Sequence, residues 1–527
     1  MHFARFSMFL LLGLICAPIF AQSKLTNEEL CYLPATELIR LFRAKELSPV
    51  DVLKAQIERI ESQDQAFNSV TFKHYSEALA QAKESERRYR NGNPRLLEGL
   101  TCALKDDVEV KGWRMTMGSL IRKNVTQSTK DSALTTLLRE AGAVMHVQTN
   151  VPEYYCNLVT WNWLFGISRN PWNPIYTPGG SSGGSAAVLA AGFSTLATGS
   201  DMGGSIRFPA AMTALYGFKP PYGRVASSLT QYESLGPLAR NFDDLNLFQQ
   251  AISGPSPQMI SSIRPKLIYN DKYEDISGWR IAYDPMDKWG IPIDKTVKKA
   301  MRRAIKNLEA LGAIIEEVDL GFRAYDFETY ARGIFSTSIG HFCFNEAEQN
   351  THLITPYMKK LVNNYAKTGS SQHISTAEDW IEFQSAQIQK KVFLKGFKAI
   401  IMPTMCTPYI AADMGSTPEN TIVTINGKSH SAGTWVYAFT WPWNMLGQYP
   451  VINVPIDLAP ENIPIGMQII GNTYDDLAVF QVASNWSKVA PAFYQNNGNN
   501  GVRSRLRTDF TYSTESRSNP IKKRNKE

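Results

Sequence analysis

The sequence is poor in the residues that build metal centres and disulfide frameworks. It has six cysteines in 527 residues, no Cys-x-x-Cys pair and no His-Glu-x-x-His segment. Scattered cysteines of this kind indicate neither a zinc site nor a disulfide scaffold. A Gly-x-x-x-x-Gly-Lys-Ser/Thr loop, which would cradle a nucleotide phosphate, is missing as well. We therefore predict that the protein uses no metal and no other cofactor.

Long hydrophobic runs and a strong charge of one sign are also lacking beyond the N-terminus. The longest apolar stretch there, residues 185–198, is shorter than the roughly 18 residues that a membrane-spanning helix needs. The formal net charge is +7, and residues 502–527 alone hold eight Lys and Arg against three Asp and Glu. The rest of the chain is close to neutral, so we expect neither nucleic-acid binding nor stable membrane insertion.

Both ends of the chain differ in composition from the remainder. Residues 1–21 have the pattern of a secretory signal peptide, with an apolar core at Met8–Cys16 and a small residue, Ala21, at the end. We predict cleavage near Ala21 and export to the periplasm or the extracellular medium; the stretch is short for a membrane anchor. Residues 496–527 are rich in Asn and Gly and then in Arg, Ser and Lys, and are predicted to be a disordered basic tail. Residues 22–495 remain as the main domain.

Between these ends, strand and helix patterns alternate. A helical segment at about residues 30–90 is followed by a buried strand, Leu100–Leu104, which delivers Lys105 at its end. Ser132–Ala141 is predicted to be a helix that ends at Gly142, and Val144–Gln148 is the next strand. Further elements of the same kind are predicted at Ile281–Tyr283, Thr296–Leu311, Ala313–Val318, Ala399–Met402 and Val451–Val454. This alternation is typical of an α/β fold with a mostly parallel, buried sheet.

The most informative stretch is rich in glycine and serine. It reads Pro178-Gly-Gly-Ser-Ser-Gly-Gly-Ser185 and then Thr198-Gly-Ser-Asp-Met-Gly-Gly-Ser-Ile-Arg207. Paired glycines beside serines suit a backbone that approaches a ligand closely. Leu196–Thr198 is predicted to be a strand and Ile206–Met212 a short helix, so Gly203-Gly204-Ser205 would lie on the turn between them. Successive N–H groups on such a turn can converge on a developing anion.

The same stretch also fits the Gly-x-Ser-x-Gly elbow of α/β-hydrolases, with Ser181 or Ser182 at its centre. An elbow follows a buried strand, but the two prolines in Asn173–Pro178 argue against a strand there. The elbow would also need a partner histidine, for which the candidates are His341, His373 and His430. Nothing around these histidines indicates such a partner.

Several linked segments resemble the amidase signature family, in that family's order. The glycine-rich stretch resembles its core, and the other similar segments are Leu104–Gly112, Met117–Ser119, Thr149–Glu153, Asn170–Pro174, Gly217–Pro220, Met402–Thr404 and Pro464–Gly471. The resemblance covers roughly residues 30–490 and is loose over residues 226–400, where substrate choice usually varies. It implies a three-layer α/β/α fold, in which helices cover one large mixed central sheet on both sides.

Carried over residue by residue, the resemblance implies a Ser-cisSer-Lys triad. Ser205 would be the nucleophile, Ser181 a bridging serine after a cis peptide bond, and Lys105 the terminal base. The N–H groups of Met202, Gly203, Gly204 and Ser205 would form the oxyanion hole. Protonated lysine has no acceptor, so Lys105 must be neutral when it accepts a proton.

The neighbours of the triad have predicted roles as well. Asp107 stands where many family members carry Asn, and we assign no catalytic role to this difference. Asp201 and Arg207 flank the nucleophile and are expected to orient its turn, while Ser182 and Ser185 support the loop. Two aromatic clusters are expected to pack in the core or to form an apolar pocket near Ser205: Tyr154, Tyr155, Trp161, Trp163 and Trp172, and Trp435, Tyr437, Trp441 and Trp443.

The resulting functional prediction is an exported amidase that hydrolyses a carboxamide or linear amide through an acyl-enzyme and releases ammonia or an amine. An exported chain would not share the role of the family's tRNA-amidating subunits, which work inside cells. Two alternatives stay open: a catalytically silent relative that binds amide ligands, and an esterase or acylamidase of the same fold. The expected partner is a small-molecule amide, and a homodimer is compatible with the sequence.

Overall fold

The structure is a computed structural model, and it describes residues 25–226, 230–417, 421–431 and 437–494. The predicted signal peptide, residues 1–21, and the predicted basic tail, residues 496–527, lie outside the described residues. Both therefore stay predictions.

Fifteen strands occur over the described residues, and eleven of them form one sheet. In chain order the strands are β1 (Val70–Lys73), β2 (Thr101–Lys105), β3 (Val144–Thr149), β4 (Trp161–Asn162), β5 (Gly166–Ile167), β6 (Leu196–Asp201), β7 (Tyr216–Lys219), β8 (Ser234–Ala239), β9 (Arg280–Tyr283), β10 (Ile314–Glu317), β11 (Ala399–Pro403), β12 (Ile422–Ile425), β13 (Lys428–Ser431), β14 (Val451–Leu458) and β15 (Pro464–Ile470). The order across the large sheet is β1-β3-β2-β6-β8-β7-β14-β15-β11-β9-β10, while β4 pairs with β5 and β12 with β13.

The large sheet is mixed, as the family resemblance implied. The prediction of mostly parallel strands is wrong, because only four neighbouring pairs are parallel: β2 with β3, β2 with β6, β9 with β10 and β9 with β11. The other six pairs are antiparallel. Parallel neighbours need a crossover of a dozen or more residues, as residues 106–143, which include the helix α5 (Ala133–Ala141), provide between β2 and β3. Only residues 459–463 separate β14 from β15, which is enough for an antiparallel pair.

Fifteen α-helices surround the sheet over the same residues. They are α1 (Asn27–Tyr32), α2 (Ala35–Ala44), α3 (Pro49–Phe67), α4 (Tyr75–Arg90), α5 (Ala133–Ala141), α6 (Gly183–Ala190), α7 (Arg207–Met212), α8 (Phe242–Ile252), α9 (Lys295–Ala310), α10 (Phe327–Thr329), α11 (His341–Gln349), α12 (Pro356–Tyr365), α13 (Ser371–Lys391), α14 (Pro442–Met445) and α15 (Asp476–Ser487). A π-helical stretch, Tyr330–Gly340, joins α10 to α11. None of the described helices combines the length and the apolar character that a membrane crossing requires.

The N-terminal segment predicted to be helical also contains the edge strand β1. The strand is only four residues long and half-buried, which leaves too short an alternation to detect in the sequence. By contrast, α5 begins and ends as predicted. The Ser132 side chain accepts a hydrogen bond from the N–H of Thr135, and Gly142 closes the helix in the left-handed conformation.

Helices cover both faces of the sheet where β2 crosses it. Cys102 and Leu104 belong to a hydrophobic cluster with Leu134 of α5 and Phe248 of α8. Ala103, which points to the opposite face, belongs to a cluster with four residues of α6, namely Ala186, Val188, Leu189 and Ala190. Because side chains alternate along a strand, β2 is buried between two helical layers, and the predicted three-layer arrangement is confirmed there.

Candidate active site

Lys105 is the last residue of β2, and its side chain is fully buried. Side chains two apart on a strand point to the same face, so Lys105 follows Ala103 toward α6. The Lys105 N–H donates to the Thr198 hydroxyl on β6 at 3.0 Å, which fixes the end of β2 against β6. The strand therefore carries a long cationic side chain to the N-terminal end of α6, where the glycine-rich loop lies.

The Lys105 amine is surrounded by oxygen atoms. Its Nζ lies 2.8 Å from Ser181 Oγ, 2.7 Å from Ser200 Oγ and 3.2 Å from Asp107 Oδ2. An ammonium group has three donors, and these three oxygens occupy them. The ring of Tyr155 adds a cation–π contact, with Nζ 5.2 Å from its centroid. The amine is therefore enclosed by three oxygen acceptors and one aromatic face.

Ser181 lies on the loop that leads into α6, and its peptide bond with Gly180 is cis, as the resemblance implied. A side chain at Gly180 would meet the backbone of Asn157 and Leu158 at 2.8 and 2.7 Å. The loop is thus packed tightly enough to require glycine there. The N–H of Ser182 donates to the carbonyl of Ser205 at 3.2 Å, so the loop and the turn that carries Ser205 are hydrogen-bonded to each other.

Ser205 stands on the turn between β6 and α7, as predicted. A fully buried ion pair between Asp201 and Arg207 holds this turn, with two guanidinium–carboxylate bonds of 3.0 and 2.8 Å. Asp201 also accepts the N–H groups of Ile206 and Arg207 at 3.1 and 3.2 Å. The expectation that this pair orients the turn is confirmed. Burial alone would raise the pKa of Asp201, but the guanidinium outweighs burial and holds this pKa below its usual range.

Gly204 requires a correction to the predicted set of oxyanion donors. Its N–H donates to Asp201 Oδ1 at 2.9 Å and is therefore already used within the turn. Its φ of +119° and the closeness of Thr440, which a Cβ at this position would overlap, explain why glycine stands here. The N–H groups of Met202, Gly203 and Ser205 are left as candidates, and these three residues line one common cavity.

This narrow cavity, of about 20 Å³, lies beside the two serines. The residues that line it are Tyr155, Asn157, Leu158, Ser181, Ser200, Met202, Gly203, Ser205, Glu233, Tyr330, Phe335 and Ile339. Ser181 and Ser205 thus face the same space, and Lys105 lies directly behind Ser181. The π-helical stretch contributes an apolar side to this cavity through Phe335 and Ile339.

Burial shifts the pKa values of several titratable groups in and near this cavity. Burial raises the pKa of Tyr155 well above its usual value, and the same holds for Tyr330, so both phenols stay neutral in the physiological range. Burial also raises the pKa of the Asp106 carboxyl, to about 7. Asp106 turns away from Lys105 and bonds instead to Thr116 and Gln148.

Several side chains near Lys105 and Ser205 were missed at the sequence level. Asp107 is one of them: it was assigned no role, and its carboxylate lies 3.2 Å from the amine of Lys105. The signal was the two-residue spacing of Lys105 and Asp107, which can place both side chains on one side of the chain. Ser200 lies within the glycine-rich motif but was given no role. Tyr330, Phe335 and Ile339 lie in the segment of loose resemblance and carried no signal.

The aromatic clusters divide between core and cavity. Only Tyr155 of the first cluster lines the cavity. Trp172 is buried against Phe493 and Tyr494, and Trp161 against Tyr357. The remaining described members of the second cluster, Tyr437, Trp441 and Trp443, are buried core residues, while Trp435 lies outside the described residues.

The elbow alternative finds no support in the geometry. No histidine is among the described residues that line the cavity, and His373 bonds to Ser370 at the exposed start of α13. Ser185 pairs with Thr149 at 2.8 Å and supports the loop, as expected. Among the described residues, His, Cys, Asp and Glu nowhere form a cluster of three or more that could hold a metal ion.

Comparison with solved structures first shows which class of enzymes shares this fold. The structure matches that of a bacterial aryl acylamidase belonging to the amidase signature enzymes, with a TM-score of 0.79, 26% identity, and coverage of 88% of this chain and 98% of that one. It also matches fatty acid amide hydrolase, with a TM-score of 0.77, 22% identity, and coverage of 88% and 86%, which supports the fold alone.

The sequence comparison then gives the family. The family model described as Amidase matches residues 51–480, and the chain belongs to the amidase signature family of C–N hydrolases. A similar curated protein is a glutamyl-tRNA(Gln) amidotransferase subunit from Carboxydothermus hydrogenoformans, which is 32% identical over 523 residues, covering 91% of this chain and all of that protein. The corresponding protein of Thermosynechococcus vestitus is 32% identical over 488 residues, covering 86% and 97%.

Proposed function

We propose that the protein is an exported amidase that hydrolyses a small-molecule carboxamide or linear amide through a Ser205 acyl-enzyme, with Ser181 and Lys105 as its proton relay. The observation that carries the proposal is the 2.8 Å hydrogen bond between Lys105 Nζ and Ser181 Oγ, at the back of a cavity that Ser205 also lines. A buried amine, a bridging hydroxyl and a second hydroxyl in one space form the parts of an activated serine nucleophile.

The reaction begins when Lys105 is in its neutral form. Ser205 Oγ attacks the carbonyl carbon of the amide and gives its proton to Ser181, while Ser181 gives its own proton to Lys105. The tetrahedral intermediate carries its negative charge on the former carbonyl oxygen. The N–H groups of Met202, Gly203 and Ser205 are the available donors for that charge, and each such donor is worth about 10²–10³ in rate.

The intermediate then collapses, and the C–N bond breaks. The proton returns from Lys105 through Ser181 to the leaving nitrogen, so that ammonia or an amine departs and an ester to Ser205 remains. Water repeats the same steps on this ester and releases the carboxylic acid. An ester substrate would react on the same groups, because its leaving alkoxide departs more easily than an amine.

The cavity favours an amide with a slim apolar acyl or aryl part. Phe335, Ile339 and Leu158 supply apolar walls beside the nucleophile. The polar side of the cavity includes the two serines, where the scissile amide would sit, together with Asn157, Ser200 and Glu233. A large polar substrate would leave these apolar walls without a partner.

A second candidate function comes from the curated relatives. They are named as subunits of glutamyl-tRNA(Gln) amidotransferase, and they are 32% identical to this chain over nearly their full length. On this alternative, the chain would release an amide nitrogen for transfer and would work with other subunits. The pattern of residues 1–21 favours the exported hydrolase, because a secreted chain would be separated from charged tRNA.

The nucleophile is tested with an active-site-directed fluorophosphonate on the purified protein. We expect the wild type and Ser185→Ala to be labelled and Ser205→Ala to be unlabelled. Ser185→Ala is the matched control, since it removes a buried hydroxyl from the neighbouring loop that bonds to Thr149 and not to the cavity. Absence of labelling in the wild type at every pH would support a silent binding protein instead.

The substrate class is tested with primary amides, anilides, fatty amides and glutamine on the chain alone. Turnover of anilides or simple primary amides without any added subunit supports the hydrolase. Activity confined to glutamine, and rising on addition of amidotransferase partner subunits, supports the alternative. Export is tested separately by sequencing the N-terminus of the secreted protein, which should begin after Ala21.

A further inference from the structure

The carboxylate that touches the amine of the relay has no part in the steps proposed above. We propose, on the basis of that proposed function, that Asp107 is a positioning residue that holds Lys105 in its ammonium form and so makes the reaction depend on alkaline conditions. Asp107 touches neither substrate nor nucleophile in this role. It acts through Lys105 alone.

The Asp107 carboxylate contacts the amine and the hydroxyl of Ser200. Its Oδ2 lies 3.2 Å from Lys105 Nζ and accepts a 2.6 Å hydrogen bond from Ser200 Oγ, which itself lies 2.7 Å from Nζ. The three groups thus form a closed triangle of a carboxylate, a hydroxyl and an amine. Ser200 holds the carboxylate in place beside the amine, and Nζ lies 2.8 Å from Ser181 Oγ and 3.2 Å from the carboxylate at the same time.

The charge of Asp107 is poorly compensated by anything else. Its side chain is 9% exposed, and its second oxygen, Oδ1, is buried and finds no hydrogen-bond partner among the described residues. If Lys105 lost its proton, a buried carboxylate would remain without its counter-charge, a state that is costly in proteins. An opposite charge at this distance therefore favours the charged amine.

The other charged and titratable groups around the pair do not replace Asp107. From the loop after β3, Tyr155 faces the amine as a neutral phenol. Asp106 is bonded to Thr116 and Gln148, and Asp201 is bonded to Arg207. The remaining groups that face this region are Glu233 and Tyr330, which line the cavity, and Arg122, whose positive charge acts to lower the pKa of Tyr155.

Replacement of Asp107 by asparagine, which is neutral and of the same shape, should therefore shift the pH profile of kcat/KM. In Asp107→Asn the triangle keeps its shape and loses its charge, so Lys105 becomes neutral at lower pH. We expect the midpoint of the rising limb of kcat/KM to move toward acid by about one to three pH units, the range that a neighbouring opposite charge produces. The plateau at high pH should stay close to that of the wild type, because Ser205, Ser181 and Lys105 are intact.

The matched control is Asp106→Asn, the same change one residue earlier in the chain. The Asp106 carboxyl bonds to Thr116 and Gln148 rather than to Nζ, so its removal should move the midpoint clearly less than Asp107→Asn does. The proposal is overturned if the two variants shift the profile equally, if Asp107→Asn leaves the midpoint where it was, or if Asp107→Asn loses activity at all pH values with no shift.

A measurement without turnover separates this inference from the proposed function. In the Ser205→Ala protein labelled with ¹³Cε-lysine, the resonance absent from the Lys105→Met variant reports the charge of Lys105. Its titration midpoint should be lower with Asn than with Asp at position 107. If the wild type fails to hydrolyse amides but this shift is seen, the proposed function fails and the role of Asp107 stands. If amides are hydrolysed and the resonance is unmoved, the role of Asp107 is refuted alone.

Discussion

The hydroxyl of Tyr330 donates a 2.8 Å hydrogen bond to the carbonyl of Met202, across 128 residues of sequence. Tyr330 begins the π-helical stretch beside the cavity, and Met202 begins the turn that carries Ser205. Both residues are buried. One hydrogen bond therefore ties the segment of loose family resemblance to the turn on which the proposed nucleophile stands.

Removal of this hydroxyl should loosen the turn. In Tyr330→Phe the Met202 carbonyl would be left buried without its donor, a loss of about 1–3 kcal/mol. We expect a lower temperature of unfolding and a slower fluorophosphonate reaction at Ser205. The control is Tyr365→Phe, which deletes a hydroxyl bonded to Glu328 away from the cavity. Equal labelling rates in the two variants would show that the bond does not position the turn.

The buried pair of Asp201 and Arg207 should matter much more than an exposed pair. Arg207→Lys keeps the charge but loses the paired contacts with Asp201 and the bonds to Gln468 and Asn444. Each buried acceptor left without its donor costs about 1–3 kcal/mol, so we expect a large fall in the free energy of unfolding in urea. Labelling of Ser205 should fall as well, since Asp201 fixes its turn.

The matched control for that substitution is Arg280→Lys. Arg280 pairs with Glu316 at 2.7 Å, and both side chains are about two-fifths exposed. Exposed pairs contribute only about 0–1 kcal/mol, so the stability of this variant should stay near that of the wild type. Similar losses in the two variants would contradict a special role for the buried pair.

The sequence allowed the local parts of the fold to be predicted and left the sheet order open. Helix α5 was predictable because its signals, Ser132 and Gly142, lie at its own ends. Two of the four parallel pairs, β2 with β3 and β9 with β10, belong to strand–helix–strand units of the same local kind. The other two, β2 with β6 and β9 with β11, join strands far apart in the sequence. The antiparallel pairs join strands such as β6 and β8, whose partnership depends on contacts formed only in the folded chain. Nothing in either strand alone specifies its neighbour.

The candidate site also contains some residues that could be predicted from the sequence and others that could not. Lys105, Ser181 and Ser205 stand in dense motifs, so the family resemblance was sufficient to select them. The Gly204 N–H was predicted to serve an oxyanion, and its bond to Asp201 shows only in three dimensions. Tyr330 and Phe335 come from a helical stretch far along the chain, with side chains that are common in any core. Their place at the cavity could not be predicted without the long-range packing.

A buried histidine provides a test of acid sensitivity. Burial lowers the pKa of His146 to about 4, and one ring nitrogen of His146 lies 2.9 Å from the Phe193 carbonyl. In the unfolded chain His146 would titrate near 6.5. Between these two pKa values the unfolded state binds a proton that the folded state does not bind. The contribution of His146 to the free energy of unfolding is therefore fully present above about pH 6.5 and falls as the pH drops toward 4.

The measurement compares the wild type with His146→Gln, which does not titrate. Between pH 7 and 4, the stability advantage of the wild type over the variant should shrink by up to about 3 kcal/mol. Urea unfolding at several pH values gives this difference directly, and other titrating groups cancel in the subtraction. A difference that is constant across this range would mean that His146 is not held neutral in the folded protein.

Gly204 should tolerate no side chain. In Gly204→Ala the new Cβ would overlap Thr440 at a φ of +119°, so the turn must move. A displacement of about 1 Å at a reacting group costs about 10²-fold in rate, and we expect at least that loss in the rate of Ser205 labelling. Gly396→Ala is the control, because Gly396 also has a positive φ, +85°, with open space around it. Gly396→Ala should lose some stability and keep the wild-type labelling rate. An equal effect of both substitutions on labelling would show that backbone strain alone, and not contact with Thr440, governs the turn at Gly204.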